Sequence, residues 1–263
     1  MSGTLVLLHG AASNATRWAE FVEHARLGEG WKILRPDLRG NGTAALPRTR
    51  LGMDLWCDDL VAMLDRERCE RAVIGGHCLG ANIALQFAAR HAQHVRGLIL
   101  IEPMPPGALA GGAAWLPYLR PVLLALYGAS RALNACGIYR RRLAPLDLRE
   151  WDRATRRGER QLTMLASLGV DLAATPLAAY TRMLAATAEP WPDARAIRVP
   201  ALALVSSRST MTDPPGTRRA LAALPDCEVV KLDAVHWIPT EQPEAMRRAI
   251  EDWLRRRVPE TAP

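Results

Sequence analysis

The stretch Arg71-Ala-Val-Ile-Gly-Gly-His-Cys-Leu-Gly80 constrains this chain more than any other. A short apolar run ends in Gly76-His77-Cys78-Leu79-Gly80 and passes without a spacer into the amphipathic pattern of Ala81–Arg90. Apolar runs of strand length bounded by glycine, followed by helical periodicity, predict a buried strand, a sharp turn and a helix. The glycines at 76 and 80 supply room for a crowded turn, and its apex carries a nucleophilic side chain, Cys78. A helix N-terminus and a neighbouring histidine both favour a thiolate over a thiol, so the placement suits covalent catalysis. The plainer reading is a small buried thiol in a tight turn.

The rest of the chain repeats the same grammar. Thr4–Leu8 reads as a parallel strand ending in His9-Gly10-Ala11-Ala12, with Ser13 capping a helix over Asn14–Arg26. Trp31–Arg35 is a second strand and is closed by Pro36-Asp37-Leu38-Arg39-Gly40. Met53–Arg68 is a helix, Ala72–Gly75 the strand before the turn, and Leu98–Ile101 a fourth strand closed by Glu102-Pro103. From Met104 to about Arg195 the alternation stops. Helices are expected near 115–137, 147–168 and 173–187, bounded by Pro103, Pro105 and Pro106 on one side and Pro190 and Pro192 on the other. Strand and helix signals resume with Ala201–Val205, Pro215–Leu224, Glu228–Leu232 and Glu241–Arg257. Strands alternating with helices predict a parallel sheet with right-handed crossovers.

Four short segments together resemble the α/β-hydrolase fold: Leu8-His9-Gly10, Pro36-Asp37-Leu38-Arg39-Gly40, the Cys78 turn in place of the family's GxSxG elbow, and His236-Trp237-Ile238-Pro239-Thr240-Glu241-Gln242-Pro243. The resemblance implies a mostly parallel sheet of about six strands without the family's N-terminal hairpin, similar to the compact branch that holds hydroxynitrile lyases and plant esterases. It also implies a core formed by 1–103 and 196–263, with 104–195 as an inserted helical cap. Site roles follow by position: Cys78 as nucleophile, His236 as general base, and the backbone N–H groups of Ala11 and Leu79 as the oxyanion hole. His9 is expected to shape the oxyanion loop, while His24, His77, His91 and His94 read as surface or structure. Val235 stands where the family usually has glycine before the histidine.

The acid that orients the histidine has two candidates. Ser209 occupies the position where the family's aspartate aligns after the next-to-last strand, leaving Asp213 four residues further on. The other placement, known from haloalkane dehalogenases, is the end of the strand after the elbow, and there Glu102 aligns without a gap. Glu102 is preferred, with Asp213 as the alternative. The cysteine argues against dehalogenation, whose nucleophile in that group is an aspartate.

The implied activity is hydrolysis or acyl transfer on a carboxylic ester or thioester, on a small molecule or a carrier, through an acyl-cysteine. That chemistry is similar to cysteine-bearing dienelactone hydrolases, polyhydroxyalkanoate synthases and some thioesterase domains. Two alternatives stay open: a non-covalent lyase or cyclase using Cys78 and His236 as acid–base groups, and a non-catalytic ligand-binding homologue. The apolar run Trp115, Leu116, Tyr118, Leu119, Val122, Leu123, Leu124, Leu126 and Tyr127 is expected either to pack against the core or to line an acyl pocket as well.

Composition narrows the partners. The formal charge of +7 comes mostly from arginine, but the clusters at 140–142, 156–157 and 255–257 are dispersed among acidic residues, so no nucleic-acid partner is expected. The apolar stretch from Trp115 to Ile138 is broken by Pro117, Arg120, Pro121 and Arg131, which argues against membrane insertion. Five cysteines without framework spacing imply neither disulfides nor zinc. No Walker sequence or dinucleotide GxGxxG is present, so no cofactor is expected. The opening apolar run is too short for a secretory signal, and a cytoplasmic enzyme of undetermined oligomeric state is the default reading.

Overall fold

In the computed structural model the described residues are 3–28, 30–44, 46, 50–137, 146–161 and 167–258. Six strands form one parallel sheet: β1 (Gly3–Leu8), β2 (Trp31–Leu34), β3 (Ala72–His77), β4 (Val95–Ile101), β5 (Ala201–Ser206) and β6 (Cys227–Leu232), in the order β2-β1-β3-β4-β5-β6. The sheet is covered on both sides, which is why its central strands are continuous apolar runs rather than alternating ones. Along β1, Leu5 and Leu7 enter one core and Val6 and Leu8 the other, and β4 and β5 divide their side chains in the same way.

Helices α1 (Ala19–His24) and α10 (Pro243–Arg257) bury Phe21, Ile250, Trp253 and Leu254 against the first of these faces. Helices α2 (Met53–Arg66) and α3 (Leu79–Arg90) bury Trp56, Leu60, Leu64 and Phe87 against the second, joined by Leu221 of α8 (Pro214–Leu221). Chain order reverses around β1, between β2 and β3, and in such sheets the crevice beyond the carboxyl ends at the reversal is where ligands bind.

Between β4 and β5 the chain leaves the sheet and forms α4 (Leu116–Ala135), α5 (Leu148–Arg156), α6 (Leu168–Ala174) and α7 (Leu177–Thr187). This segment is tied to the sheet layer by specific polar contacts. The Tyr127 hydroxyl accepts from Leu51 N (2.7 Å), Arg182 Nε donates to Leu51 O (2.8 Å), and Asn82 Nδ2 donates to Met104 O (2.9 Å). A short helix, α9 (Ile238–Glu241), precedes α10.

Several expectations are corrected. The first cap is Asn14, not Ser13: its side chain accepts from Thr16 N, and the segment opens with a 3-10 turn (Ala15–Trp18) before α1. The helix expected over 173–187 is two helices, because Pro176 cannot continue α6 and Thr175 before it is extended. Strand β4 starts at Val95, three residues early, where it meets Ala72 across a register shift. Pro243 likewise separates α9 from α10 within the helix expected from Glu241. Of the apolar run in α4, only Leu116 reaches the cavity described below and Tyr127 is buried. Trp115, Tyr118, Leu119, Val122 and Leu126 are exposed, so packing or pocket lining fails for them. The Arg140–Arg142 cluster and part of the helix expected over 147–168 lie outside the described residues. Among those described, no helix is long and apolar enough to cross a membrane.

Candidate active site

The turn after β3 is as tight as the glycines imply. A Cβ on Gly76 would fall 2.3 Å from Gly80 C, and one on Gly80 would fall 2.4 Å from Leu8 O and 2.7 Å from His9 O. Helix α3 therefore starts pressed against the end of β1. Cys78 itself has φ 56° and ψ −118°, a backbone state that costs a non-glycine residue on the order of 1–3 kcal/mol. Its N–H donates to Ile101 O (2.9 Å) and its C=O accepts from Ala81 N (3.0 Å), which carries strand pairing straight into the helix. Of the four non-glycine residues with positive φ among those described, three lie here: Ala12, Cys78 and Glu102.

His236 and Glu102 meet beneath the elbow. His236 Nδ1 stands 3.3 Å from Glu102 Oε2, with each side chain no more than 3% exposed. Burial alone would lower the His236 pKa, but the neighbouring Cys78 and Glu102 outweigh it and raise the value to about 10. Glu102 is fixed from the other side by Ser206 N, which donates to Oε1, and by Ser209 Oγ, which donates to Oε2 at 3.1 Å. The hydroxyl at the usual acid position thus hydrogen-bonds the carboxylate that arrives from β4. Asp213 is not brought to the histidine: it caps α8, accepting from Gly216 N at 2.7 Å, and its side chain is half-exposed.

The loop holding His236 is braced by residues whose roles the motif alone did not reveal. The Glu241 carboxylate accepts from the N–H groups of Val235 (3.0 Å), His236 (3.2 Å) and Trp237 (2.8 Å), and Gln242 Nε2 donates to Asp233 O (3.0 Å). His77, expected to be surface or structural, is buried and its Nε2–H donates to His236 O at 3.0 Å. Burial and the charge of His236 hold its pKa well below the ordinary histidine value, so it is neutral. The signal for both was positional: one adjoins Cys78, and the other lies five residues beyond His236.

His9-Gly10-Ala11 passes over the elbow, and a Cβ on Gly10 would come within 3.2 Å of Cys78 Cβ. His9 braces this loop, with Nδ1 donating to Gly10 O (2.8 Å) and Nε2 accepting from Leu38 N (2.9 Å). Its burial lowers its pKa to about 4, in keeping with the neutral ring those two bonds require. Asp37 carries the neighbouring turn by accepting from Ala15 N and Thr43 N, each at 2.7 Å. Ala11 lines the cavity and Leu79 is the first residue of α3, so both lie beside Cys78.

Cys78 opens onto a cavity of about 830 Å³ shared by the strand ends and the inserted helices, walled mostly by apolar side chains such as Met104, Leu116, Leu148, Val170 and Leu184. No group of three His, Cys, Asp or Glu side chains among the described residues is placed to hold a metal ion.

Sheet order, elbow and buried histidine–carboxylate pair define a class, the nucleophile-elbow enzymes. The chain belongs to the alpha/beta hydrolase family, whose model matches residues 5–249. The 2-hydroxymuconate semialdehyde hydrolase of Pseudomonas sp. (strain CF600) is 32% identical over 99 residues, which is 37% of this chain and 35% of that enzyme. The 2-hydroxy-6-oxononadienedioate/2-hydroxy-6-oxononatrienedioate hydrolase of Paraburkholderia phymatum is 31% identical over 117 residues, 43% of this chain and 39% of its own length. The matched part thus spans well under half of either relative. Among solved structures, the enol-lactonase of Burkholderia xenovorans LB400 superposes with a TM-score of 0.70 at 21% identity, covering 97% of this chain and 92% of that one.

Proposed function

We propose that the protein is a hydrolase or acyltransferase acting on a carboxylic ester or thioester, with Cys78, His236 and Glu102 as its catalytic residues. One observation carries this reading: a single buried histidine pairs with the Glu102 carboxylate at 3.3 Å and lines the same cavity as Cys78, which together with Glu102 raises its pKa. A structural cysteine in a tight turn has no use for a buried, charged relay behind it, since an uncompensated buried charge costs several kcal/mol on the order described for broken ion pairs.

The chemistry follows from the geometry. His236 takes the thiol proton and Cys78 Sγ bonds the substrate carbonyl carbon, whose oxygen becomes an oxyanion facing the Ala11 and Leu79 N–H groups. When the intermediate collapses, the bond to the leaving oxygen or sulfur breaks and the leaving group takes the proton from His236. Water, or an acceptor alcohol or amine, then gives a proton to His236 and displaces Cys78 from the acyl group. Glu102 holds the imidazolium in register throughout. The exchange of one thioester for another is nearly balanced in energy, so thioester substrates, free or carrier-bound, suit a thiolate nucleophile. The 104–195 helices act in this reading as the cap that selects the acyl group. The two curated relatives described above are named as hydrolases, which supports hydrolysis as the reaction.

The test is intact mass after mixing with an activated acyl ester or thioester. One acyl addition is expected on the native protein and none on Cys78→Ala. An equal addition on both proteins, or none on either, overturns the assignment.

A further inference from the structure

The cavity wall carries a charge that the catalytic residues do not use. Asp171, on α6, and Tyr180, on α7, both line the cavity, and Tyr180 acts to lower the pKa that burial raises at Asp171. Among the described residues Asp171 is the only acidic side chain on that wall. The one arginine on the wall among the described residues, Arg17, is already neutralised: its Nη1 lies 2.5 Å from Asp152 Oδ1 and 2.7 Å from Thr240 Oγ1, and both charged side chains are at most 5% exposed.

An ionised carboxylate offers about four acceptor sites, and in a cavity lined mostly by apolar residues such as Val170, Leu116 and Leu184 few of them are met. Burial accordingly raises the Asp171 pKa to about 6 in spite of Tyr180. At neutral pH and above, the wall therefore presents an under-compensated negative charge. A ligand bearing a compact cation with several N–H donors would relieve it, a hydroxyl would relieve it less, and an anion would meet repulsion.

We propose that Asp171 selects substrates that carry an ammonium group remote from the scissile carbonyl. The inference rests on the acyl-transfer reading of Cys78 for the word substrate, but the cation preference is a binding property that can be measured without turnover.

The probes are n-octylamine, octanol and octanoate, titrated by calorimetry into the native protein at pH 8. These place the same chain in the cavity and differ only in the head group. A charge-assisted hydrogen bond implies roughly tenfold or more tighter binding of the amine than of the alcohol, with octanoate weakest. Asp171→Asn, which keeps an acceptor for Tyr180, is expected to bring amine and alcohol within about twofold. Tyr180→Phe removes a competing donor and should retain or widen the amine preference, so it tests the proposal if Asp171→Asn fails to fold. Equal binding of amine and alcohol by the native protein, or an undiminished gap in a folded Asp171→Asn, overturns the role of Asp171. Amine selectivity without acylation of Cys78 would instead leave a cation-binding cavity and overturn the acyl-transfer reading alone.

Discussion

Replacing Glu102 by Gln removes one charge from the relay while keeping its shape, and the consequence can be worked from the distance. Glu102 Oε2 and His236 Nδ1 are 3.3 Å apart and both groups are buried. At an effective dielectric of about 20, opposite unit charges at that separation attract by roughly 5 kcal/mol. That corresponds to a fall of roughly three to four in the histidine's pKa. In the native protein the imidazolium, with a pKa of about 10, persists well above neutrality. In Glu102→Gln its loss should centre at about pH 6–7. In the proposed mechanism the imidazolium both pairs with the thiolate and protonates the leaving group, so its titration is expected to set the basic limb of activity. The assay is kcat/KM for an activated ester across pH 5 to 11, as a general range for such a bell-shaped profile, on both proteins. The expected result is a basic limb displaced downward by about three pH units and a rate at pH 8 reduced on the order of 100-fold. A variant whose basic limb stays near that of the native protein, at near-native rates, would refute the role given to Glu102.

The elbow and the oxyanion-side turn give two further tests. Gly80→Ala must insert a methyl 2.4 Å from Leu8 O, a backbone atom that cannot swing aside; a loss of about 2–3 kcal/mol and a melting temperature lower by roughly 4–12 °C are expected. Gly128→Ala on exposed α4, where nothing lies within 4 Å, is the control and should not lower it. Burial alone would raise the Asp37 pKa, but the bonds from Thr43 and Ala15 outweigh it and hold the carboxyl below its ordinary value. Its contribution is therefore present above the unfolded value near 3.8 and is lost as pH falls through the depressed folded value. Asp37→Asn should lower the melting temperature at pH 7 and narrow the difference between pH 7 and pH 3; an unchanged difference on calorimetric scans counts against it.

Much of the fold was legible because the sheet is buried on both sides. Val73-Ile74, Leu98–Ile101 and Ala201–Val205 have only one use in a chain that also carries helices between them. The elbow was legible because Gly76 and Gly80 are demanded by backbone contacts, not by taste in side chains. What stayed hidden depended on partners distant in sequence. Asn14 displaces Ser13 as cap because Asn14 Nδ2 is also claimed by Leu146 O at 2.7 Å, a contact 132 residues away that no local pattern reports. His77 and Glu241 brace the base through backbone atoms, which leave no mark in side-chain chemistry. Asp171 falls in sequence between the helices expected over 147–168 and 173–187, and only the cavity gives it meaning.

The position of the acid follows from sheet register. His77 of β3 lies opposite Ile101 of β4, so Cys78 and Glu102 are each the first residue past neighbouring strand ends. Both adopt positive φ, 56° and 45°, and both anchor their N–H on the next strand, Cys78 on Ile101 O and Glu102 on Leu204 O. Two positive-φ residues at neighbouring strand ends thus carry Cys78 and Glu102 off the same end of the sheet, where His236 meets Glu102. An acid at position 209 would have to reach that imidazole from three residues beyond β5. Ser209 instead leaves the space to the longer glutamate side chain and donates a hydrogen bond to it. The serine at 209 and the glutamate at 102 are thus one arrangement. A carboxylate at both places would set two negative charges within hydrogen-bonding distance, where like charges cannot both stay ionised. The strain held at Cys78 and Glu102 fits this view, because a residue adopts such a backbone state only where its surroundings over-determine it, and here the surroundings are two strand ends locked in register.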